Sequence, residues 1–217
     1  MKRLDLFVTV VLSLLVAPDG ARAQTSIQTL RTNGPLSKRI NIVFLSEGYT
    51  TNQLAQFPND AIKVLTNLLA TPPLREYSNS FNAFAISVAS VQSGSDHYTP
   101  TTNFVNTYFN SSFDSYGIQR LITIPPNDRD ANSADGQGRV NSLLATYMPQ
   151  YDIVALIVND TQYGGSGGFP LIASVNSSSP EIATHELGHA FAGLGDEYGD
   201  PYPGYPDIEE PNTTIET

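Results

Sequence analysis

Residues 179–195 read Ser-Pro-Glu-Ile-Ala-Thr-His-Glu-Leu-Gly-His-Ala-Phe-Ala-Gly-Leu-Gly, and the interpretation of the whole chain begins there. Ser179 is a suitable N-cap, Pro180 suits the first helical position, and Gly193 supplies a stop. Small and apolar residues recur between these signals at helical spacing, which predicts one apolar face. These residues are Ala183, Leu187, Ala190 and Leu194. The stretch therefore predicts an amphipathic helix.

Two histidines and a glutamate lie on the side of this helix away from the apolar face. His185 and His189 are one turn apart, so both imidazoles can reach a single ion. Glu186 lies about 100° round the helix, where its carboxylate can meet a water on that ion. The chain contains only three histidines, and two of them have this ligand spacing. The pattern favours the zinc-site helix of a metallohydrolase over a core helix with a polar outer face.

A catalytic zinc ion usually takes three protein ligands and leaves the fourth position to water. The remaining histidine, His97, is far away in the sequence, so the nearest candidates are Asp196 and Glu197. Residues 193–196 (Gly-Leu-Gly-Asp) are similar to the end of the metzincin motif H-E-x-x-H-x-x-G-x-x-H, with one extra residue before the glycine and Asp in place of the last His. Asp196 is therefore the expected third ligand. Glu197 is the alternative, either as a ligand or as support for a histidine.

The N-terminus has the three parts of a secretory signal peptide. Lys2 and Arg3 form a basic start, residues 6–17 are apolar, and residues 21–23 (Ala-Arg-Ala) form a small-x-small cleavage site. Cleavage after Ala23 makes residues 1–23 the signal and residues 24–217 one mature domain. The apolar run is too short to span a bilayer, and no later apolar run reaches the length needed. No membrane contact is therefore expected after cleavage. The sequence predicts a bacterial protein that is secreted or periplasmic.

Composition limits the partners of the mature chain. The full sequence has a net charge of −10, and removal of residues 1–23, which carry three basic and two acidic side chains, leaves −11; this acidity argues against nucleic acid and anionic membrane surfaces as partners. The chain has no cysteine, so its stability does not depend on disulfides. Nothing in the sequence indicates an oligomeric state.

Strand and helix signals alternate along the mature chain. Short apolar runs predict strands, and longer periodic segments predict helices. The alternation predicts a three-layer α/β domain with a mostly parallel sheet, in which the metal helix packs on the sheet and faces a cleft. The expected strands are 40–45, 81–91, 153–158 and 171–175; the expected helices are 50–69, with Pro58 as a break, and 140–148; residues 24–38 form an extended lead-in and 94–135 a long polar excursion.

Several segments together resemble one known family. Residues 185–198 (His-Glu-Leu-Gly-His-Ala-Phe-Ala-Gly-Leu-Gly-Asp-Glu-Tyr) resemble the zinc signature of the bacterial IgA metallopeptidase family. Residues 40–49 look like its first strand and turn, and residues 159–168, with their run of glycines, look like a later landmark. We interpret that run as a hairpin at the cleft rim, which could pair with an extended substrate, or as a plain flexible turn. The similarity covers residues 38–200.

The resemblance implies a metzincin-like zinc endopeptidase that acts on a protein or peptide substrate. It implies His185, His189 and Asp196 as ligands of one Zn²⁺ and Glu186 as the general base toward the zinc-bound water. It does not imply IgA as the substrate. Metzincins have a methionine turn after the motif, whereas the mature chain's only methionine, Met148, precedes it. A largely absent lower C-terminal subdomain is therefore expected, and a non-catalytic secreted binding module with the same fold is the alternative.

Overall fold

The computed structural model describes residues 25–98, 102–130, 135–196 and 209–212. The signal peptide expected at residues 1–23 and the alternative ligand Glu197 lie outside these ranges. The described residues form a mixed α/β domain of six strands and three α-helices. The strands are β1 (Ser26–Arg31), β2 (Ile40–Glu47), β3 (Phe81–Ser87), β4 (Ile153–Val158), β5 (Gly165–Ser166) and β6 (Leu171–Ser174); the helices are α1 (Phe57–Leu68), α2 (Gly136–Tyr147) and α3 (Ser179–Ala192).

The six strands form one sheet in the order β1-β3-β2-β4-β6-β5. The four inner strands pair in parallel, and the edge strands β1 and β5 pair antiparallel to their neighbours. Nearly every residue of the inner strands is buried, as expected for a parallel sheet that is covered on both faces. The prediction of a mostly parallel sheet is confirmed.

Helices cover both faces of the sheet, which gives three layers. Phe44 of β2 points to the face where α1 and α3 pack, and Leu187 of α3 belongs to the same buried cluster. Its neighbour Val43 points to the opposite face, where Leu144 of α2 and Phe113 of the excursion pack. Successive residues of a strand point to opposite faces, so β2 contributes to both apolar clusters. Helix α3, which carries the predicted metal ligands, therefore packs on the sheet, as the sequence predicts.

The first strand and the first helix differ from the sequence-based expectation. The polar lead-in contains β1, which pairs only with β3 and leaves most of its side chains exposed. Helix α1 begins at Phe57, with Pro58 in its first turn, where proline is tolerated. Upstream of it, the backbone N–H and the hydroxyl of Thr50 donate to Gln53 Oε1, at 3.0 and 2.9 Å. The Thr50–Gln53 interaction therefore closes a turn, and the helix starts later than the predicted residue 50.

Helix α2 starts at a side-chain cap, whereas helix α3 starts without one. Helix α2 begins at Gly136, ahead of the predicted start, because the Asp135 carboxylate accepts a hydrogen bond from the Gly138 N–H at 2.6 Å. Helix α3 begins at Ser179, so the prediction of Ser179 as N-cap is wrong by one residue: Ser178 occupies that position, and its side chain makes no capping hydrogen bond. The described part of the chain contains no helix that is long and apolar enough to cross a membrane.

The predicted apolar face of α3 is only half correct. Ala183 and Leu187 are buried against the sheet. Ala190 and Leu194 are exposed, as are all residues from 190 to 194. The C-terminal end of α3 therefore lies at the surface.

The long excursion is tied to the carboxyl ends of the parallel strands. Glu47, at the end of β2, is buried, and its carboxylate accepts from the Thr107 hydroxyl (2.5 Å) and from the N–H groups of Phe109 and Ser111 (both 2.9 Å). Burial raises the pKa of Glu47, and the three donors oppose that rise. A second contact joins the excursion to the segment after β4: His97 Nε2 lies 2.7 Å from Asp160 Oδ2. His97 thus helps to hold the excursion.

Candidate metal centre

The chain turns back on α3 directly after the helix ends. Gly193 has a φ of 63°, a left-handed conformation that glycine adopts without a steric cost. The N–H of Gly193 donates to the His189 carbonyl and that of Leu194 to the Gly188 carbonyl, both at 3.1 Å. The predicted stop at Gly193 is confirmed. The turn brings Asp196 back beside the helix it has just left.

Three side chains converge at this turn. The Nε2 atoms of His185 and His189 are 3.1 Å apart, and Asp196 Oδ1 lies 3.0 Å from the first and 3.2 Å from the second. Ligand atoms held about 2.0 Å from a tetrahedral ion lie about 3.3 Å from one another. The three atoms therefore fit a single metal ion, and the described residues contain no other such group of three histidine, aspartate or glutamate side chains.

One imidazole of this group is oriented by the turn itself. His189 Nδ1 lies 2.6 Å from the carbonyl oxygen of Leu194. A carbonyl only accepts, so the Nδ1 atom of a neutral His189 carries the proton and Nε2 keeps its lone pair. That lone pair is the one that a metal ion requires. The backbone after α3 thus prepares His189 as a ligand.

Glu186 lies beside the three side chains, on the face that packs against the glycine-rich strand β5. Burial raises the pKa of Glu186 to about 7; His189 opposes the rise and Asp196 adds to it. A Cβ atom at Gly165 would lie 3.4 Å from Glu186 Oε1, and one at Gly167 would lie 3.3 Å from Oε2 and 3.0 Å from His189 Cβ. The glycines let the strand approach the carboxylate closely.

The glycine-rich run forms a hairpin at the rim of the site. Strand β5 pairs antiparallel with β6, which confirms the hairpin but does not test its pairing with a substrate. The outer side of β5 is already occupied, because the Gly165 N–H donates to the Arg120 carbonyl (3.1 Å) and the Ile122 N–H donates to the Gly165 carbonyl (3.2 Å). Gly167 and Gly168, farther along the run, are exposed. An extended substrate therefore cannot pair with the backbone at Gly165.

We expect Gly165→Ala to lower the free energy of unfolding by about 1–3 kcal/mol. The added Cβ would lie 2.5 Å from Ile182 Cγ2 and 2.7 Å from the Ile172 carbonyl oxygen. Strand β5 must therefore move away from helix α3 or strand β6, or these must move away from it. Urea denaturation with a chelator present measures the effect without a contribution from bound metal. Gly188→Ala is the matched control, because its Cβ makes an ordinary 3.5 Å contact with Leu194 and alanine favours helix. Equal stability of Gly165→Ala and the wild type would contradict the close packing.

A residue from a later part of the chain also contacts the loop that follows α3. Asn212 Oδ1 accepts from the Gly195 N–H at 2.8 Å, and Asn212 Nδ2 donates to the Gly195 carbonyl at 2.9 Å. Together with the three converging side chains, Asn212 lines a cleft of about 540 Å³. The site therefore includes a residue beyond the motif.

The structure brings together the residues that the sequence singles out. His185, His189 and Asp196 meet at one point with Glu186 beside them, whereas His97 pairs with Asp160 in the excursion. Sequence reasoning misses the approach of individual glycines to Glu186 and the contact of Asn212. A glycine-rich run signals a turn but not its neighbour, and no local pattern links an asparagine to a glycine 17 residues away.

Two comparisons with known proteins bear on the family of this chain. A search of curated proteins finds no match to the chain. The family model described as IgA Peptidase M64 matches residues 28–216, which is nearly the whole chain and extends past both ends of the resemblance drawn from the sequence. Membership of a peptidase family implies a hydrolase that acts on proteins or peptides. The chain therefore belongs to the IgA peptidase M64 family of metallopeptidases.

Proposed function

We propose that this protein is a secreted, zinc-dependent endopeptidase of the metzincin type. The observation that carries the proposal is the triangle formed by His185 Nε2, His189 Nε2 and Asp196 Oδ1, whose sides measure 3.0–3.2 Å. Two imidazole nitrogens and one carboxylate oxygen are a donor set that suits zinc. Export through a signal peptide, residues 1–23, is part of the proposal and rests on the sequence alone.

Glu186 is the proposed general base. A zinc ion, when bound, lowers the pKa of water and polarises a substrate carbonyl. Glu186 accepts a proton from the attacking water and later delivers it to the leaving amine nitrogen. Two features support this role: the carboxylate lies next to the ligand His185 in the chain, and its partial burial keeps bulk water from competing for the proton.

The rim of the site is suited to an extended peptide. Gly167 and Gly168 are exposed beside His189 and Glu186, and their lack of side chains leaves room for a peptide backbone. Because the backbone of Gly165 is occupied by the excursion, any pairing with substrate involves the later glycines. No feature of the site selects IgA, so we propose a protein or peptide substrate without naming one.

Metal removal tests the proposal. We expect the purified protein to contain about one zinc ion per chain by elemental mass spectrometry and to cleave unstructured protein substrates. Dialysis against 1,10-phenanthroline is expected to abolish cleavage, and added Zn²⁺ is expected to restore it. A folded, metal-free protein that cleaves nothing would overturn the proposal and favour a non-catalytic binding module with the same fold.

A further inference from the structure

We infer that Asn212 is a positioning residue for the metal ligand Asp196. Its carboxamide holds both backbone groups of Gly195, the residue immediately before Asp196, and so keeps the carboxylate beside the two imidazoles. The inference rests on the proposed role of Asp196 as a ligand. It adds a residue outside the histidine motif to the machinery that binds the metal.

The contact is specific to a carboxamide. Asn212 donates to the Gly195 carbonyl and accepts from the Gly195 N–H, with both distances close to 2.9 Å. The side chains of asparagine and glutamine offer an N–H donor and a carbonyl acceptor on one planar amide group, the same pair of groups that a peptide backbone offers. The side chain thus supplies to Gly195 the pair of bonds that a neighbouring strand would supply.

Gly195 is the point in this loop that most needs an external hold. Leu194 is already fixed on both sides, because its N–H donates to the Gly188 carbonyl and its own carbonyl meets His189 Nδ1. Gly195 follows it, has no side chain to pack, and is a glycine with wide backbone freedom. The two bonds from Asn212 restrict the peptide groups on either side of Gly195, and these groups set the direction in which Asp196 leaves the loop.

Burial does not fix the position of Asp196. Its side chain is 41% exposed, compared with 26% for His189. An exposed carboxylate on a glycine loop samples several rotamers, and ordering it at the metal ion costs conformational entropy. A loop that is already held by Asn212 reduces this cost before the metal binds.

The test compares zinc affinity in Asn212→Ala and in a matched control. Residues that support a metal ligand from behind typically contribute 10–100-fold to metal affinity, and we expect a loss of about that size in Asn212→Ala. Asn176→Ala is the control, because Asn176 also makes one bond of each kind to backbone, with Thr161 O and Ser178 N, near the other end of α3. Competition with a chromophoric chelator measures both affinities, and the control is expected to match the wild type.

A double-mutant cycle with Asp196→Ala separates positioning from general support. If Asn212 acts through Asp196, then Asn212→Ala in the Asp196→Ala background causes no further loss of zinc affinity. A second readout is the visible spectrum of the Co²⁺-loaded protein, which we expect to change in Asn212→Ala and to stay unchanged in Asn176→Ala. Independent, additive losses in the cycle would overturn the inference.

The outcomes distinguish this inference from the proposed function. If the wild type binds zinc and cleaves peptides while Asn212→Ala binds zinc equally well, the positioning role is wrong and the proposed function stands. If the folded wild type binds no zinc, both are wrong. A selective loss of affinity in Asn212→Ala, absent from the Asp196→Ala background, supports both.

Discussion

Glu186→Gln is expected to lower kcat for peptide hydrolysis by about 10²–10⁴-fold, the range typical of a general acid–base residue. Glutamine keeps the size of the side chain and its fit against the glycines of β5, but its amide oxygen cannot take a proton from water. The three ligand side chains are unchanged, so we expect zinc content to stay at the wild-type level. Steady-state kinetics with a fluorogenic peptide, together with metal analysis of the same sample, measures both effects.

Glu76→Gln is the control for this substitution. Glu76 is an exposed acid that pairs with Arg75 in the segment between α1 and β3, outside the metal-site helix, and the change likewise replaces one carboxylate by an amide. We expect its kcat to match that of the wild type. A Glu186→Gln protein with undiminished kcat would show that another group accepts the proton.

His189→Ala is expected to weaken zinc binding at least about 100-fold, beyond the range typical of residues that only support a ligand. The substitution removes one of three ligand atoms and also the bond between Nδ1 and the Leu194 carbonyl that shapes the loop before Asp196. Peptide hydrolysis should fall with the zinc content. Chelator competition measures the affinity, and activity at saturating Zn²⁺ shows whether excess metal rescues the variant.

His97→Ala is the matched control, because it makes the same chemical change outside the site. His97 pairs with Asp160 and stacks on Phe113, so its removal should lower the stability of the excursion. We expect one zinc ion per chain to remain. Loss of zinc from His97→Ala with retention in His189→Ala would place the metal in the excursion rather than beside α3.

The sequence predicts the inner strands and the metal helix because their signals are local. Residues 153–158 form an unbroken run of apolar, mostly branched side chains, as a strand buried on both faces requires. The three converging side chains belong to residues 185–196, so helix geometry and one glycine turn nearly determine their distances. Local spacing was therefore enough to anticipate the cluster.

Features that depend on distant contacts were not predictable in the same way. Strand β1 has no apolar pattern, because an exposed edge strand needs only backbone pairing with β3. The exposure of Ala190 depends on what packs against the end of α3, which the helical period does not reveal. The bonds of Asn212 join segments that the fold alone brings together. These features depend on tertiary contacts, for which a single sequence carries no local signal.

The backbone hydrogen bonds that Gly165 makes with Arg120 and Ile122 also matter when the protein is concentrated. An open sheet edge is a template on which other chains can pair, and such pairing leads to aggregation. Strand β5 is an edge strand with glycine at this position, so it has no charged or bulky side chain to repel an incoming strand. The excursion occupies the backbone groups there instead. The excursion thus leaves Gly165 no backbone group with which a strand of another copy could pair at this edge.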